Sequence, residues 1–287
     1  MKKGFLFCLV LFVIVMAFAT GCTGNQPEST PADSLADSTA IVDSLAKDSI
    51  NTDTVEVAPI PVAADQLFDD FLFLFASRPA IQLSRIKFPI TETTGDKTRQ
   101  IDRQHWVMER FFTDKDFYTL IFDNQQQMKA VNDRHTDSVA VETINLNTGV
   151  VRQHLFTHAT GKWMLVEIRN KLVSETKNAS FLDFYNKFAT NPAYRRQSIS
   201  NPFVFVGPDP NDDFGDRVKT MQMRASQWDN LGFDDLPSGT IYNILYGQRY
   251  TESNQKIFVL RGNANDQETE LTFRRFGSRW MLVKLNV

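Results

Sequence analysis

The most constraining feature of this chain is an internal repeat of large apolar residues and prolines. The pattern recurs without a gap at an offset of 113 positions, and the matched residues are Phe68, Phe71, Phe75, Ala76, Pro79, Ala80, Ile86 and Pro89, then Phe181, Phe184, Phe188, Ala189, Pro192, Ala193, Ile199 and Pro202. A second match, between residues 163–168 and 280–285, has an offset of 117. Repeated apolar positions indicate a repeated core. We therefore predict two similar globular units, residues 67–173 and 178–287.

The amino terminus has the organisation of an export signal. Lys2 and Lys3 precede an apolar run of about 14 residues, whereas a membrane-spanning helix needs roughly 20. The small residues before Cys22 resemble a bacterial lipobox, although Ala19 stands where that motif has leucine. We predict that residues 1–21 are a lipoprotein signal peptide and that Cys22 is lipidated. The alternative is an ordinary signal peptide that is cleaved near Ala19.

The predicted lipid anchor defines where the protein resides. Loss of Cys8 with the signal leaves Cys22 without a disulfide partner, which supports lipidation. We expect an exported protein that is attached to a membrane of the cell envelope through Cys22. Thr23 is not the aspartate that retains lipoproteins at the inner membrane in some bacteria, which favours the outer membrane.

Residues 22–66 have the composition of a disordered acidic tether. Ser, Thr, Asp, Ala and Pro predominate, no aromatic residue occurs, and eight acidic residues against Lys47 alone give a charge of about −7. Residues 67–287 are close to neutral, at about +2. A nucleic-acid-binding domain usually carries a strongly basic surface, so we do not expect nucleic acid as a partner.

Each repeat begins with an amphipathic helix and continues into strands. Phe68, Phe71 and Phe75, like their counterparts in the second copy, have helical spacing. In later segments apolar and polar residues alternate, and the turn sequences 147–149 and 159–161 separate these segments. This pattern predicts antiparallel hairpins. The fold class is therefore α+β. The chain is a tandem duplication of a unit in which a helix packs on an antiparallel sheet.

Three further sequence segments resemble those of a family of Bacteroidetes lipoproteins of unknown function. They are residues 111–112 followed by 117–124, residues 205–210, and residues 244–248. The resemblance implies two copies of a cone-shaped fold similar to nuclear transport factor two, also described as cystatin-like. It carries no known reaction and no catalytic residues.

The histidines are the first candidates for a site, because all four lie in the first copy. When the two copies are aligned, His154 and His158 of one predicted strand correspond to Leu271 and Arg275 of the second copy. His154 is therefore a candidate base or ligand anchor. The alternative is a half-exposed strand end that tolerates either residue. His105, with Asp102 three residues earlier, is a second catalytic candidate, and a surface ion cluster explains that spacing equally well.

Other chemistries find little support in the sequence. Tyr118, at the start of a predicted strand, is a further ligand-binding candidate beside His154 and His158. The acidic segment 209–216 lacks the spacing of a calcium loop, and no zinc, phosphate-loop or nucleophile-elbow motif occurs. We expect no metal and no cofactor.

Three functional hypotheses remain open. The leading one is a non-catalytic envelope lipoprotein that binds a protein partner or a small ligand in its tandem cup-shaped units. The second is an enzyme of the isomerase or dehydratase kind with a pocket in the first repeat. The third is a purely structural spacer, which requires two filled cores and no large exposed apolar patch.

Overall fold

The computed structural model describes residues 65–209, 212, 217–233, 235–265 and 267–287. The predicted signal peptide, Cys22 and the tether up to residue 64 lie outside the described residues. The described residues belong to one compact unit. None of the helices in the described ranges is long and apolar enough to cross a membrane.

A pair of helices opens each repeat, and the phenylalanine spacing predicts the first helix of each pair. Helix α1 (Phe68–Ser77) is followed by α2 (Pro79–Ser84), a short α3 (Gln125–Met128) comes later, and the second repeat begins with α4 (Ala179–Thr190) and α5 (Pro192–Gln197). Pro79 and Pro192 stand in the first turn of their helices, where a missing N–H costs no hydrogen bond. The buried faces of α1 and α4 carry the matched phenylalanines.

In the described part of the chain, twelve strands form two six-stranded sheets. The first half of the chain supplies β1 (Ile86–Thr94), β2 (Lys97–Ile101), β3 (Phe117–Phe122), β4 (Ser138–Asn145), β5 (Val150–Ala159) and β6 (Lys162–Leu172). The second half supplies β7 (Ile199–Pro208), β8 (Val218–Met223), β9 (Thr240–Leu245), β10 (Gln255–Gly262), β11 (Glu268–Phe276) and β12 (Arg279–Asn286). The predicted hairpins β4–β5–β6 and β10–β11–β12 are antiparallel, whereas β1 pairs with β6, and β7 with β12, in parallel.

The two repeats exchange one strand each. The sheet orders are β2-β1-β6-β5-β4-β9 and β3-β10-β11-β12-β7-β8. The apolar segments 118–122 and 242–246 match between the two copies. Strand β3 nevertheless extends the second sheet, and its counterpart β9 extends the first. The repeat pattern places β3 in the first unit, whereas its backbone partner is β10 of the second. The unit boundaries 67–173 and 178–287 stay a prediction.

The exchanged strands are buried on both faces. Leu120 and Phe122 of β3 belong to the core cluster that contains helix α1, whereas Ile121 belongs to the cluster that contains helix α4. A strand that is buried on both faces reads as a continuous apolar run, and the sequence Phe-Tyr-Thr-Leu-Ile-Phe of β3 has this character. Each core therefore contains side chains from both repeats.

A buried polar network lies where the exchanged strands end. Lys256 of β10 forms an ion pair with Asp123, which directly follows β3. Beside it, the Glu142 carboxylate accepts hydrogen bonds from Asn243 Nδ2 at 2.8 Å and from Gln153 Nε2 at 2.6 Å. These contacts join the first and second repeats through polar groups that are satisfied by one another.

Candidate functional site

An open cleft of about 400 Å³ lies in the first repeat beside strand β2. Its volume falls in the range of small-molecule sites. It has an aromatic wall, two guanidinium groups, a carboxylate and an imidazole, and the lining residues are Arg99, Gln100, Ile101, His105, Trp106, Val107, Glu109 and Arg152.

Glu92 organises the positive side of the cleft. This buried carboxylate of β1 forms ion pairs with Arg99 Nε on β2 and with Arg152 Nη1 on β5. It also accepts a hydrogen bond from Asn170 Nδ2 at 3.0 Å. Burial would raise the pKa of Glu92, but the Asn170 amide and the two guanidinium groups outweigh it and hold the pKa below its ordinary value.

Glu109 joins the cleft to the core beneath it. Its Oε1 lies 3.3 Å from Arg152 Nη2 and 3.2 Å from His154 Nε2. Burial would raise the pKa of Glu109, but the adjacent His154 ring and Arg152 guanidinium outweigh it, so this pKa is lowered. The His154 ring is fully buried, and neither of its nitrogens has a hydrogen bond of good geometry within the described residues.

A buried glutamine fixes the segment that carries Trp106 and Glu109. Gln82 Oε1 accepts hydrogen bonds from Trp106 Nε1 and from the Glu109 backbone N–H, both at 2.8 Å. Gln82 Nε2 donates to the Glu109 carbonyl at 2.8 Å and to the Phe75 carbonyl at 2.9 Å. Helix α2 therefore holds an irregular segment in place, and the cleft wall is positioned before any ligand arrives.

At four of the five matching positions the second repeat has apolar residues in place of this polar cluster. The pairing registers β1–β2 and β7–β8 align Glu92 with Phe205 and Arg99 with Met221, and the same offset aligns Trp106 with Trp228. The offsets given above then match Glu109, Arg152 and His154 with Leu231, Thr269 and Leu271. Trp228, Phe205 and Leu271 are buried, and Met221 and Leu231 pack against them. One repeat has a polar cleft where the other has a filled core.

Comparison with known proteins gives the family. Residues 46–287 match the family described as domain of unknown function DUF4348. The chain belongs to this family. The crystal structure of an NTF2-like protein from Bacteroides fragilis NCTC 9343 is similar, with a TM-score of 0.73 and 35% sequence identity over 79% of this chain and 98% of that chain. No curated protein matches. The predicted Bacteroidetes family of unknown function and the α+β fold like nuclear transport factor two are confirmed.

In this DUF4348 protein the histidine candidates lie in different surroundings. His105 is exposed and lines the cleft, but only its backbone N–H contacts Asp102, through the Asp102 carbonyl at 3.0 Å. His154 lies beneath Glu109 and does not line the cleft. His158 packs against Trp163 with ring centroids 4.8 Å apart, away from these groups. The predicted Asp102–His105 pair therefore has no side-chain contact in the described part of the chain.

Tyr118 lies away from the polar cleft. Its ring stacks on Phe112 with centroids 4.2 Å apart, and burial raises its pKa to about 12. The described residues contain no group of three or more His, Cys, Asp or Glu side chains that would hold a metal ion.

Sequence reasoning missed Glu92, Arg99 and Arg152, and it did not make Glu109 a site candidate. The signal was available, because the mismatch that singles out His154 opposite Leu271 also singles out Glu92 opposite Phe205. Finding all of these mismatches requires three alignment offsets, 113, 117 and 122, for different segments of the chain. The strand registers supply the offset of 122.

Proposed function

We propose that this DUF4348 protein is an exported, lipid-anchored envelope protein whose first repeat binds a small ligand without transforming it. The ligand carries an anionic group and a flat or apolar part. The observation that supports this function is that Glu92, Arg99, Glu109 and His154 stand beside an open cleft, at positions where the second repeat has the core or core-packing residues Phe205, Met221, Leu231 and Leu271.

Such a cluster costs stability unless each charge is paired. Replacing buried ion pairs by apolar residues is often neutral or stabilising, and the second repeat has made that replacement. A polar cluster in only one of two duplicated units is therefore better explained by a ligand than by stability. The paired carboxylates hold the arginines in place in advance, which lowers the cost of ordering them on binding.

The chemistry of the ligand follows from the groups that face the cleft. Arg99 uses only Nε for Glu92, its side chain is 70% exposed, and its terminal nitrogens have no hydrogen-bond partner among the described residues. They remain available for a carboxylate or another anion. Trp106 is partly buried and Val107 is 79% exposed, and these side chains offer an apolar wall for the rest of the molecule.

Catalysis has less support from this geometry. A general base must reach the proton that it removes, directly or through one water. The His154 ring is fully buried under Glu109 and lies behind the cleft lining. His105 lines the cleft but has no carboxylate contact to its ring among the described residues.

Titration with benzoate and with its neutral counterpart benzamide tests the binding site. The protein is residues 22–287 with Cys22→Ser, and the readout is the NMR resonance of the Trp106 indole N–H. We expect benzoate to shift this resonance more strongly than benzamide. Arg99→Met, which copies Met221 of the second repeat, is expected to weaken benzoate binding about fivefold or more by removing charge-assisted hydrogen bonds.

Arg169→Met is the matched control, because Arg169 is an exposed strand arginine that pairs with Glu167 away from the cleft. An equal response to benzoate and benzamide, or an equal loss in both variants, overturns the anion site. No response to either probe favours the structural spacer.

The anchor needs a separate test. We expect the full chain with Cys22 to partition with membranes and the Cys22→Ser chain to become soluble after export. Continued membrane attachment of Cys22→Ser would show that another segment holds the protein.

A further inference from the structure

The two exchanged strands leave a second cleft between them, away from the polar cleft. This cleft has a volume of about 580 Å³ and is called the seam cleft here. Its walls are the beginnings of β3 and β9 with the residues before them, which are Asp114, Lys115, Asp116, Phe117, Tyr118, Thr119, Pro237, Ser238, Thr240, Ile241 and Tyr242.

Strands β3 and β9 lie side by side without a backbone ladder. Each is the edge strand of its own sheet. Side chains bridge them instead, because Thr119 Oγ1 bonds both the N–H and the carbonyl of Tyr242, and Asn243 Oδ1 accepts the Ile121 N–H at 2.7 Å. The backbone edges of both strands therefore remain open where the seam cleft begins.

The orientation of the open backbone groups follows from strand alternation. The Asp116 carbonyl bonds Asn263 beyond β10, whereas the Ile121 N–H points to β9, so the backbone groups of Phe117 point into the seam. On the side of β9 that faces β4, the Gly239 carbonyl accepts a hydrogen bond from the Leu146 N–H. The backbone N–H and carbonyl of Tyr242 point the other way, to β3. Because Thr240 lies two residues before Tyr242, its backbone N–H and carbonyl also point into the seam. In the described ranges these groups of Phe117 and Thr240 have no hydrogen-bond partner.

The side chains at the mouth add two preferences. Phe117 is 41% exposed and presents an aromatic surface. Asp114 and Asp116 outnumber Lys115, whose Nζ lies 3.9 Å from Asp114 Oδ2, so the mouth carries a net negative charge. An occupant with a basic residue next to an apolar one fits this arrangement.

We propose that the seam cleft binds an extended peptide segment of a partner protein, which adds a short strand between β3 and β9. Its backbone pairs with Phe117 and Thr240, an apolar side chain packs on Phe117, and a lysine or arginine lies beside Asp114 and Asp116. Strand addition is an established way for an open sheet edge to bind peptides. The chain's own segment 22–66 is a poor occupant, because its charge of about −7 is repelled by the same carboxylates.

Three synthetic peptides test this site on residues 22–287 with Cys22→Ser. The first is acetyl-Lys-Val-Thr-Val-Lys-amide, the second replaces both lysines by glutamate, and the third carries N-methyl groups on the backbone of the first. The readouts are the chemical shifts and the hydrogen exchange of the Phe117 and Thr240 amides. In the free protein we expect both amides to exchange rapidly, since neither is paired.

We expect the lysine peptide at about 1 mM to shift and protect both amides, and N-methylation to weaken its binding about tenfold or more. The double variant Asp114→Asn/Asp116→Asn is expected to weaken it at least about threefold, whereas Asp96→Asn/Asp102→Asn is the control and leaves binding unchanged.

Four results would overturn the proposal. They are the absence of any shift at these amides, equal binding of the N-methylated peptide, equal binding of the glutamate peptide, and slow exchange of both amides before peptide is added. The last result would mean that the chain's own acidic segment occupies the seam.

Discussion

The Thr119 hydroxyl bonds both backbone groups of Tyr242, with the Tyr242 N–H donating to Oγ1 at 3.0 Å and Oγ1 donating to the Tyr242 carbonyl. Thr119 is almost fully buried, and the two residues belong to the strands that the repeats exchange. A single hydroxyl therefore replaces part of a backbone ladder between the two sheets.

Replacing Thr119 by valine is expected to cost about 1–3 kcal/mol of unfolding free energy, because it keeps the shape but leaves two buried backbone groups unpaired. Thr119→Ser keeps the hydroxyl and is expected to cost less. Urea denaturation of both variants measures the difference. Equal stability of the two variants would mean that the hydroxyl contributes nothing at the seam.

The exchange of β3 and β9 predicts that both repeats unfold together. Each core contains side chains from both halves of the chain, so neither core can be lost alone. Two single-tryptophan variants test this, one that keeps only Trp163 and one that keeps only Trp280. We expect the tryptophan fluorescence of each variant to report one urea transition, with the same midpoint after correction for the substitutions. Two separate midpoints would show independent units.

The helices and hairpins were predictable from the sequence because local patterns encode them. Phenylalanines at helical spacing gave α1 and α4, and Gly149 and Gly161 mark the turns with positive φ values of 68° and 74°. The strand exchange was not predictable, because the matched segments 118–122 and 242–246 have the same pattern whichever sheet they join. Tertiary pairing alone decides between those sheets.

The site was predictable only in part, for a related reason. The mismatch with Leu271 identifies His154, but the charged residues that form the site with it lie far away along the chain. Arg152 contacts Glu92 and Glu109 across 60 and 43 positions. No local spacing encodes such contacts.

The buried Glu142 carboxyl predicts a pH dependence of stability. Burial raises the pKa of Glu142 above its ordinary value of 4.5, more than its hydrogen bonds from Asn243 and Gln153 lower it. The folded state therefore holds this proton to higher pH than the unfolded state does, and stability falls as pH rises from 4.5 toward the folded pKa.

Glu142→Gln removes this titration and keeps the shape, and a reoriented Gln153 amide can accept the new N–H. We expect the variant to gain stability relative to the natural protein as pH rises from about 4 toward neutrality, with little difference at the acid end. Urea denaturation at a series of pH values measures this gain. Two parallel pH profiles would mean that Glu142 titrates alike in the folded and unfolded states.

His154→Leu tests whether the buried ring beneath the cleft stabilises the fold. Leucine occupies the matching position of the second repeat as Leu271, which is fully buried. Because the His154 ring is buried and neither of its nitrogens has a hydrogen bond of good geometry within the described residues, we expect His154→Leu to raise the unfolding free energy by about 1 kcal/mol or leave it unchanged. Removing the ring also removes the main group that lowers the pKa of Glu109, so that pKa is expected to rise in an NMR titration of the carboxyl. The matched variant Leu271→His is expected to lower stability, since it buries a polar ring among apolar side chains. A loss of more than about 2 kcal/mol in His154→Leu would instead show that the contact of the ring with Glu109 stabilises the fold.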